Sequence, residues 1–115
     1  MKRTIENKPT KLTKPSNLTA RQLRSRQSLL TIIDVRSNLE YWAGHIPDAR
    51  CLNRDLILQK VPKDQPIAIT CMSGHRSAPV AQWLVAQDYS KVYNLQGGLI
   101  TWQLERYPIK RGLHP

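Results

Sequence analysis

The sequence predicts an α/β domain with a five-stranded parallel sheet that is flanked by helices on both faces. Short apolar segments rich in β-branched residues alternate along the chain with segments of helical periodicity, an order typical of strands joined by crossover helices. Residues 29–34 form an apolar run without alternating polar residues, which is typical of a strand buried on both faces. A chain of 115 residues is long enough for one such domain with a substantial core.

Periodicity and helix-boundary residues predict ten elements. The predicted strands cover residues 17–18, 29–34, 50–53, 66–70 and 92–95. The predicted helices cover residues 20–26, 37–43, 56–61, 78–88 and 99–106. The segment from Tyr107 onward contains two prolines and is expected to be irregular.

Single residues mark several of these boundaries. Thr19 is a good N-cap for the first helix. Gly44 ends the second helix, and Pro62 stops the third because it cannot continue a helix. Gly97 and Gly98 form a turn before the last helix.

Residues 1–15 are predicted to be a flexible basic arm, and residues 16–115 a single domain. The net charge of +10 is concentrated in residues 1–26, which carry eight Lys or Arg side chains and only Glu6 as an acid. Attraction to an acidic protein partner, anionic lipid or nucleic acid is one interpretation. We favour a solvated tail, and nucleic acid is disfavoured because no aromatic side chain is interleaved with the cations.

Composition also excludes several classes of protein. The longest apolar runs are far too short to cross a membrane, and no apolar segment of a signal peptide follows the basic N-terminus. We therefore expect a cytoplasmic protein, and two cysteines that need not pair fit a reducing compartment. Neither Cys-x-x-Cys nor His-x-x-His spacing occurs, so we expect no metal and no other cofactor.

The most informative segment is residues 67–77, in which an apolar strand runs directly into Cys71. Polar and flexible residues follow before a helical pattern begins at Ala78. A helix N-terminus has unpaired N–H groups and a positive dipole that stabilise an anion. A thiol at that place loses its proton more readily. Because ligands bind beyond the carboxyl ends of parallel strands, we predict that Cys71 is a nucleophile beside a site for an anionic substrate.

Four segments in one order carry a family resemblance. They are Asp-Val-Arg within residues 33–36, Glu-Tyr followed by Gly-His-Ile-Pro within residues 40–49, Cys-Met-Ser-Gly-His-Arg-Ser at residues 71–77, and Gly-Gly followed by Trp within residues 94–102. Together they make the chain resemble a single-domain rhodanese, a sulfurtransferase, over about residues 16–106. The resemblance implies a five-stranded parallel sheet and a persulfide intermediate on Cys71.

The resemblance also implies the reaction and its partners. Cys71 would take sulfane sulfur from thiosulfate, a small anionic donor, or from a persulfide donor, and would pass it to a thiol or to cyanide. The loop would bind substrate and supply backbone N–H donors to the thiolate; its residues are Met72, Ser73, Gly74, His75, Arg76 and Ser77. Gly74 permits the tight curl, and His75 would add positive potential. For Arg76, a substrate contact and a structural ion pair that orients the loop remain equally open.

Other residues of the matched segments are expected to support the site. Asp34 and Arg36 would brace the loop rather than contact substrate. His45 is expected to be a hydrogen-bonded structural histidine, and Trp102 a core or pocket-wall aromatic.

Two positions depart from the family pattern. Asp48 lies where glycine is common, and Cys51 where an aliphatic residue is usual. In the implied strand order the second strand separates the third from the fourth. Pairing of Cys51 with Cys71 is therefore improbable, and Cys51 is expected to be a core residue.

Two further functions are alternatives to sulfur transfer. Phosphatases and arsenate reductases of similar fold have five residues between the cysteine and the arginine, whereas four separate Cys71 from Arg76. The shorter cradle suits a single sulfur atom better than tetrahedral phosphate. The other alternative is a sulfur-relay or protein-binding module fed by a protein, which should lose its function when residues 1–15 are deleted.

Overall fold

A computed structural model describes residues 13–115 of the chain. The predicted basic arm therefore lies almost entirely outside the described residues. The strands are β1 (Ser16–Leu18), β2 (Thr31–Asp34), β3 (Arg50–Cys51), β4 (Ile67–Thr70) and β5 (Val92–Leu95). The helices are α1 (Ala20–Ser25), α2 (Asn38–Ala43), α3 (Arg54–Lys60), α4 (Ser77–Ala86) and α5 (Gly98–Leu104).

The strands of the described part of the chain form one parallel sheet in the order β1-β5-β4-β2-β3. The central strand β4 lies between β2 and β5, so that Ile69 is paired with Ile33 on one side and with Asn94 on the other. The carboxyl ends of all strands therefore meet at one edge, and Cys71 follows β4 at that edge. The predicted parallel α/β architecture is confirmed.

Two apolar clusters cover the two faces of the sheet. Because successive strand residues point to opposite faces, Ile69 belongs to one cluster and its neighbour Ala68 to the other. The first cluster includes Ile57 of α3 and Leu84 of α4. The second includes Trp102 of α5 together with residues of α1. Helices on both faces are thus confirmed, and Trp102 is a core residue.

The helix starts follow the capping residues that the sequence contains. Thr19 and Ser37 each accept a hydrogen bond from the N–H three residues later. The side chains of Gln22 and Glu40 return a bond to the cap N–H, which completes a capping box at each helix. Both short helices are therefore encoded locally.

The second strand is shorter than predicted. It begins at Thr31 rather than at residue 29. Gln27–Leu29 form a turn of 3-10 helix, in which the N–H of Leu29 donates to the carbonyl of Arg26 at 2.8 Å. Leu29 is 72% exposed, so its apolar side chain does not belong to the buried strand.

The third strand and the third helix also differ from the prediction. The strand covers Arg50–Cys51 instead of residues 50–53. Asn53 caps α3, because its side-chain oxygen accepts from the N–H of Leu56 at 2.9 Å. The helix therefore begins at Arg54, two residues before the predicted start.

The last two helices end about two residues early. Helix α4 ends at Ala86 and α5 at Leu104. Two residues beyond these ends, Asp88 and Arg106 have φ values of +71° and +59°. A left-handed residue after a helix reverses the chain and stops the helix.

The chain after α5 lacks long helices or strands, as predicted, yet it is bound to the domain. The indole N–H of Trp102 donates to the carbonyl of Pro108 at 2.8 Å. His45 and Lys110 exchange backbone hydrogen bonds of 2.9 Å, and the N–H of Gly112 donates to Trp42. This tail thus runs beside the end of α2. Within residues 13–115, no helix has the length and apolarity needed to span a membrane.

Candidate active site

Cys71 occupies the turn between β4 and α4, at the carboxyl edge of the sheet. The loop of residues 72–76 curls over the N-terminus of the ten-residue helix α4. Gly74 has a φ of +94°, a left-handed conformation that glycine adopts without steric cost. The curl encloses the cysteine, which is 1% exposed.

Three groups from the loop and from the first residue of α4 converge on the Cys71 sulfur. The backbone N–H of Gly74 donates to Sγ at 3.2 Å, and that of Ser77 donates at 3.3 Å. The Ser77 hydroxyl oxygen lies 3.3 Å from the same sulfur. Because N–H donors stabilise negative charge, this is a ready-made thiolate site.

These contacts change the acidity of the thiol. Burial is the largest influence on Cys71, and alone it would raise the pKa. The hydroxyl and N–H of Ser77, together with the N–H groups of Gly74 and Ser73, oppose burial and lower the pKa below its ordinary value. The thiolate is therefore favoured in a place that excludes most water.

Asn94 anchors this arrangement, and the sequence reasoning missed it. The Ser77 hydroxyl donates to Oδ1 of Asn94 at 2.6 Å. The Asn94 amide also reaches the carbonyl of Gly74 at 3.5 Å. Asn94 is 8% exposed and lies in β5, next to the strand that carries the cysteine. The available signal was an amide within an otherwise apolar strand.

Arg76 forms an ion pair with Glu40 of α2. Its two terminal nitrogens donate to the two carboxylate oxygens at 2.9 and 2.8 Å, the bidentate geometry that Arg favours. The hydrogen bond from Arg76, followed by that from Ser37, lowers the Glu40 pKa to about 2. The ion pair, one of the two roles left open for Arg76, is thus present, and the contact of Arg76 with substrate stays a prediction.

His75 and Ser73 lie at the mouth of the loop. The imidazole Nδ1 of His75 is 2.9 Å from the hydroxyl of Ser73, and the His75 side chain is exposed. Neither side chain contacts the Cys71 sulfur in the hydrogen bonds of the described residues. The predicted electrostatic role of His75 stays a prediction.

Asp34 and Arg36 form a buried ion pair near the loop. Arg36 donates to Asp34 Oδ2 at 2.8 Å, and both side chains are 1% exposed. The same guanidinium nitrogen donates to the carbonyl of Gly44 at 2.6 Å. These bonds secure the end of α2 rather than the loop itself, so the predicted bracing of the loop stays a prediction.

A pocket of about 230 Å³ lies beside the loop. Its walls come from the end of β2, from α2, from the loop and from α5; they are Arg36, Glu40, Ala43, Gly44, Met72, Leu99 and Gln103. The pocket thus joins the Arg36 and Glu40 ion pairs to the residue that follows the cysteine.

Helix α5 supports the loop through a close backbone contact. The N–H groups of Leu99 and Ile100 donate to the carbonyls of Cys71 and Met72 at 2.9 and 3.0 Å. Gly98 has a φ of +59°, and a Cβ atom there would lie 2.5 Å from the Cys71 carbonyl oxygen. Only glycine fits at this position without displacing the loop.

The other residues singled out from the sequence are His45, Cys51 and Asp48. His45 is fully buried, and its ring nitrogens lie 2.8 Å from the Tyr41 carbonyl and 2.9 Å from the His114 carbonyl, which confirms the predicted hydrogen-bonded histidine. Cys51 and Cys71 are both free, and β2 separates their strands as expected. The prediction that Cys51 is a core residue is wrong, because it is only half-buried and its sulfur faces the oxygens of Arg36 and Asn38. Asp48 has a φ of +71°, a conformation that explains why glycine suits its position. Among residues 13–115, no three His, Cys, Asp or Glu side chains are grouped as metal ligands.

Comparison with known proteins identifies relatives of this chain and of its fold. The model of the rhodanese-like domain matches residues 17–105. A sulfurtransferase from Allochromatium vinosum is 40% identical over 81 residues, 68% of this chain and 76% of that protein. A rhodanese-like domain protein from Staphylococcus aureus is 29% identical with a TM-score of 0.66, covering 76% of this chain and 90% of that chain. A rhodanese-like domain from Anabaena sp. is similar in fold, with a TM-score of 0.78, 24% identity, and coverage of 87% of this chain and 81% of that chain.

Proposed function

This chain belongs to the family of rhodanese-like domains, and from that premise we propose that it is a sulfurtransferase with Cys71 as the sulfur-carrying residue. The single observation that supports the proposal most strongly is the convergence of Gly74 N–H, Ser77 N–H and the Ser77 hydroxyl on Sγ. Such donors stabilise the thiolate before reaction and the anionic persulfide after it.

The first step loads sulfur onto the enzyme. The Cys71 thiolate attacks the outer sulfur of thiosulfate, and a new S–S bond forms to Sγ. The S–S bond of thiosulfate breaks, and sulfite leaves with its electron pair. The loop then holds a persulfide whose outer sulfur carries the negative charge that arrived with the donor.

The second step transfers the sulfur from the enzyme to the acceptor. A thiolate or cyanide attacks the outer sulfur of the persulfide, and the bond to Sγ breaks. The electron pair returns to Sγ, so Cys71 is again a thiolate and the acceptor carries the sulfur. No outside oxidant or reductant is needed, because one sulfur atom is exchanged between two nucleophiles.

Ser77 is suited to follow these changes of charge. In the thiol form, the hydroxyl donates to Asn94 Oδ1 while its oxygen accepts from the thiol. When Cys71 ionises, the hydroxyl can turn to donate to the sulfur. The Asn94 amide then still holds the loop through its contact with the carbonyl oxygen of Gly74.

Phosphoryl transfer is the weaker candidate for this loop. Four residues lie between Cys71 and Arg76, and the arginine is held by Glu40 instead of turning into the loop. The cysteine is almost fully covered. The site therefore offers a tetrahedral phosphate neither a free arginine nor enough space. A sulfur donor needs less space, because it presents a single terminal sulfur atom to the cysteine.

The test is mass spectrometry of the intact protein after incubation with thiosulfate. We expect a gain of one sulfur atom on the wild type and on Cys51→Ser, and no gain on Cys71→Ser. Cyanide or a small thiol should remove the added sulfur. Absence of the gain with both thiosulfate and a low-molecular-weight persulfide would refute the proposal, and equal loading of Cys71→Ser would assign the sulfur to another site.

A further inference from the structure

Exposed apolar side chains concentrate beside the candidate active site. Among the described residues, seven large apolar side chains are exposed, and four of them lie on α2 and α5. They are Leu39 at 73%, Trp42 at 55%, Ile100 at 45% and Leu104 at 75% exposed. We name these four residues the apolar rim. Single exposed apolar residues need no explanation, but a cluster beside a site marks an interaction surface.

The apolar rim borders the pocket that adjoins the loop. Residues three or four positions apart share a face of a helix. Leu39 therefore lies next to Ala43, and Ile100 next to Gln103, both of which are pocket walls. The N–H of Ile100 also donates to Met72 in the loop. Leu39 and Ile100 of the rim thus flank a pocket that Met72 of the loop also lines.

We infer that the apolar rim docks an acidic protein segment that carries the acceptor cysteine, so that the physiological acceptor is a protein thiol. The inference rests on the proposed sulfurtransferase function and names the acceptor class for the same site. Cyanide and thiosulfate have no apolar surface to bury, so the rim is of no use to them. A protein segment has an apolar side chain to place against it.

The size of the pocket supports a protein segment over a larger small molecule. Its volume of about 230 Å³ is below the roughly 300–1,000 Å³ of ordinary small-molecule sites. It is suited to one apolar side chain of a docked segment, with the remaining contacts made on the rim outside.

The charged side chains around the apolar rim indicate the charge of the partner segment. The N–H of Gly112 donates to the Trp42 carbonyl at 2.9 Å, which brings the backbone of the preceding, exposed Arg111 close to the end of α2. Arg106 is the second residue after α5 and is exposed. By contrast, two nearby carboxylates form ion pairs: Glu40 of α2 pairs with Arg76, and Glu105, which caps the end of α5, pairs with Arg21. The surface therefore offers cations to an acidic partner.

The transfer is balanced in atoms and electrons. The partner thiolate attacks the outer sulfur of the Cys71 persulfide, and the bond between that sulfur and Sγ breaks. Cys71 leaves as the thiolate, and the partner carries the persulfide. The stabilised Cys71 thiolate is a good leaving group, because a thiol of lower pKa leaves faster.

Short peptides test the inference. The wild type is first loaded with thiosulfate and desalted, and then unloaded by Asp-Leu-Cys-Leu-Asp or by Lys-Ser-Cys-Ser-Lys while the sulfur on each species is followed by mass spectrometry. We expect kcat/KM to be about tenfold higher for the acidic apolar peptide. In the double variant Leu39→Ala, Trp42→Ala this preference should be lost, since truncating an aromatic anchor commonly costs about tenfold or more.

Three controls separate docking from chemistry and from misfolding. Leu29→Ala removes an equally exposed leucine, 72% against 73%, before β2 at the opposite edge of the sheet, and it should keep the preference. Leu104→Ser is a second rim variant that alters only one exposed side chain. Unloading by cyanide should be the same in all variants, because cyanide does not use the rim.

A binding measurement is independent of sulfur chemistry. In Cys71→Ser, the peptide Asp-Leu-Ser-Leu-Asp should shift the indole N–H resonance of Trp42 and leave that of the buried Trp102 unchanged. Persulfide formation with equal unloading by both peptides and no Trp42 shift would overturn the inference while leaving the proposed function intact. Failure of Cys71 to load would overturn the proposed function instead.

Two other occupants would also be revealed. Anionic lipid vesicles that shift Trp42 when the peptide does not would assign the rim to a membrane surface. A dimer in sedimentation velocity that Leu39→Ala, Trp42→Ala dissociates would assign it to a second copy of the chain. Either result contradicts the inference of a protein thiol partner.

Discussion

Cys71 and Cys51 lie at the carboxyl ends of parallel strands of the same sheet, and the protein gives the two thiols opposite acidity. Cys71 is almost fully buried yet has a lowered pKa, because backbone N–H groups donate to its sulfur and the Ser77 hydroxyl lies within hydrogen-bond distance of it. Cys51 is less buried, but burial and then the charge of Asp34 raise its pKa. Its sulfur lies 3.4 Å from the carbonyl oxygen of Arg36 and 3.4 Å from Oδ1 of Asn38.

The difference shows that the direction of the surrounding dipoles decides the state of a thiol. Oxygen acceptors around Cys51 favour S–H, which can donate to them. Hydrogen-bond donors around Cys71 favour S⁻ despite the cost of burial. A helix N-terminus supplies such donors to Cys71, whereas Cys51 lies beside the loop that leads into α2.

The largest expected effect comes from replacing each of the two cysteines by serine. Cys71→Ser should lower the turnover of thiosulfate by more than about 1,000-fold, since the covalent intermediate cannot form. Cys51→Ser should keep turnover within about twofold of the wild type. Steady-state assays of both variants decide the matter, and a large loss in Cys51→Ser would mean that the two cysteines act together.

The next effect concerns the support beneath the Cys71 loop, which Cys51 lacks. Gly98→Ala places a Cβ atom 2.5 Å from the Cys71 carbonyl, so the loop must move. We expect turnover to fall about 100-fold, as misplacement of a reacting group by about 1 Å does, and stability to fall by about 2 kcal/mol.

Gly112→Ala is the matched control for this substitution. Gly112 also has positive φ, +101°, but no atom lies within 4 Å of its added Cβ. It should lose only the backbone contribution of about 1 kcal/mol and keep full turnover. Urea unfolding with parallel assays measures both quantities, and equal losses in the two variants would contradict the steric argument.

A smaller effect is expected when one donor is removed from the Cys71 sulfur. Ser77→Ala deletes the hydroxyl that helps to lower the pKa of Cys71, so that pKa should rise. The thiolate is present above the pKa, and its titration in Ser77→Ala must therefore move to higher pH. At neutral pH we expect sulfur loading to slow about tenfold, since a hydrogen bond to a charged group contributes about 1.5–3 kcal/mol.

Thiolate absorbance in the ultraviolet as a function of pH checks this shift, in a Cys51→Ser background so that one thiol is observed. Ser73→Ala is the control, because its hydroxyl lies beside His75 and its backbone N–H is kept. An unchanged titration in Ser77→Ala would show that the backbone donors suffice.

The smallest effect is expected at the ion pair between Glu40 and Arg76, a residue of the Cys71 loop. Glu40→Gln releases Arg76 to face an anionic donor, so the KM for thiosulfate should fall about two- to threefold while kcat stays constant. Stability should change by less than about 1 kcal/mol, because the pair is partly exposed.

The pH dependence of the wild type tests the same pair. Hydrogen bonding lowers the Glu40 pKa to about 2, and a lowered carboxyl pKa means that the pair persists until the pH falls towards that value. The KM should therefore show no step between pH 4 and 6 from this group. Glu105→Gln, which breaks the pair with Arg21 away from the loop, should leave KM unchanged.

The sequence by itself determined the order of strands and helices and the position of the cysteine that we propose as the nucleophile. Thr19, Ser37 and Asn53 act on N–H groups three residues away, and apolar periodicity acts over one helix or strand. Such information is local, so it can be recognised without the fold. The local pattern gave a wrong prediction at Leu29. It placed Leu29 in a buried strand, but the side chain is exposed because the chain forms a turn before the strand begins.

Only the tertiary structure decided which distant groups meet at the site. Asn94 reaches Ser77 across 17 positions, and Arg76 reaches Glu40 across 36. These contacts depend on the order β5-β4-β2 in the sheet and on the docking of α2 beside the loop. The strand order and the helix positions are chosen by packing of two apolar faces, which is a property of the whole chain. The local pattern therefore located the cysteine, and the packing supplied the groups that set its acidity.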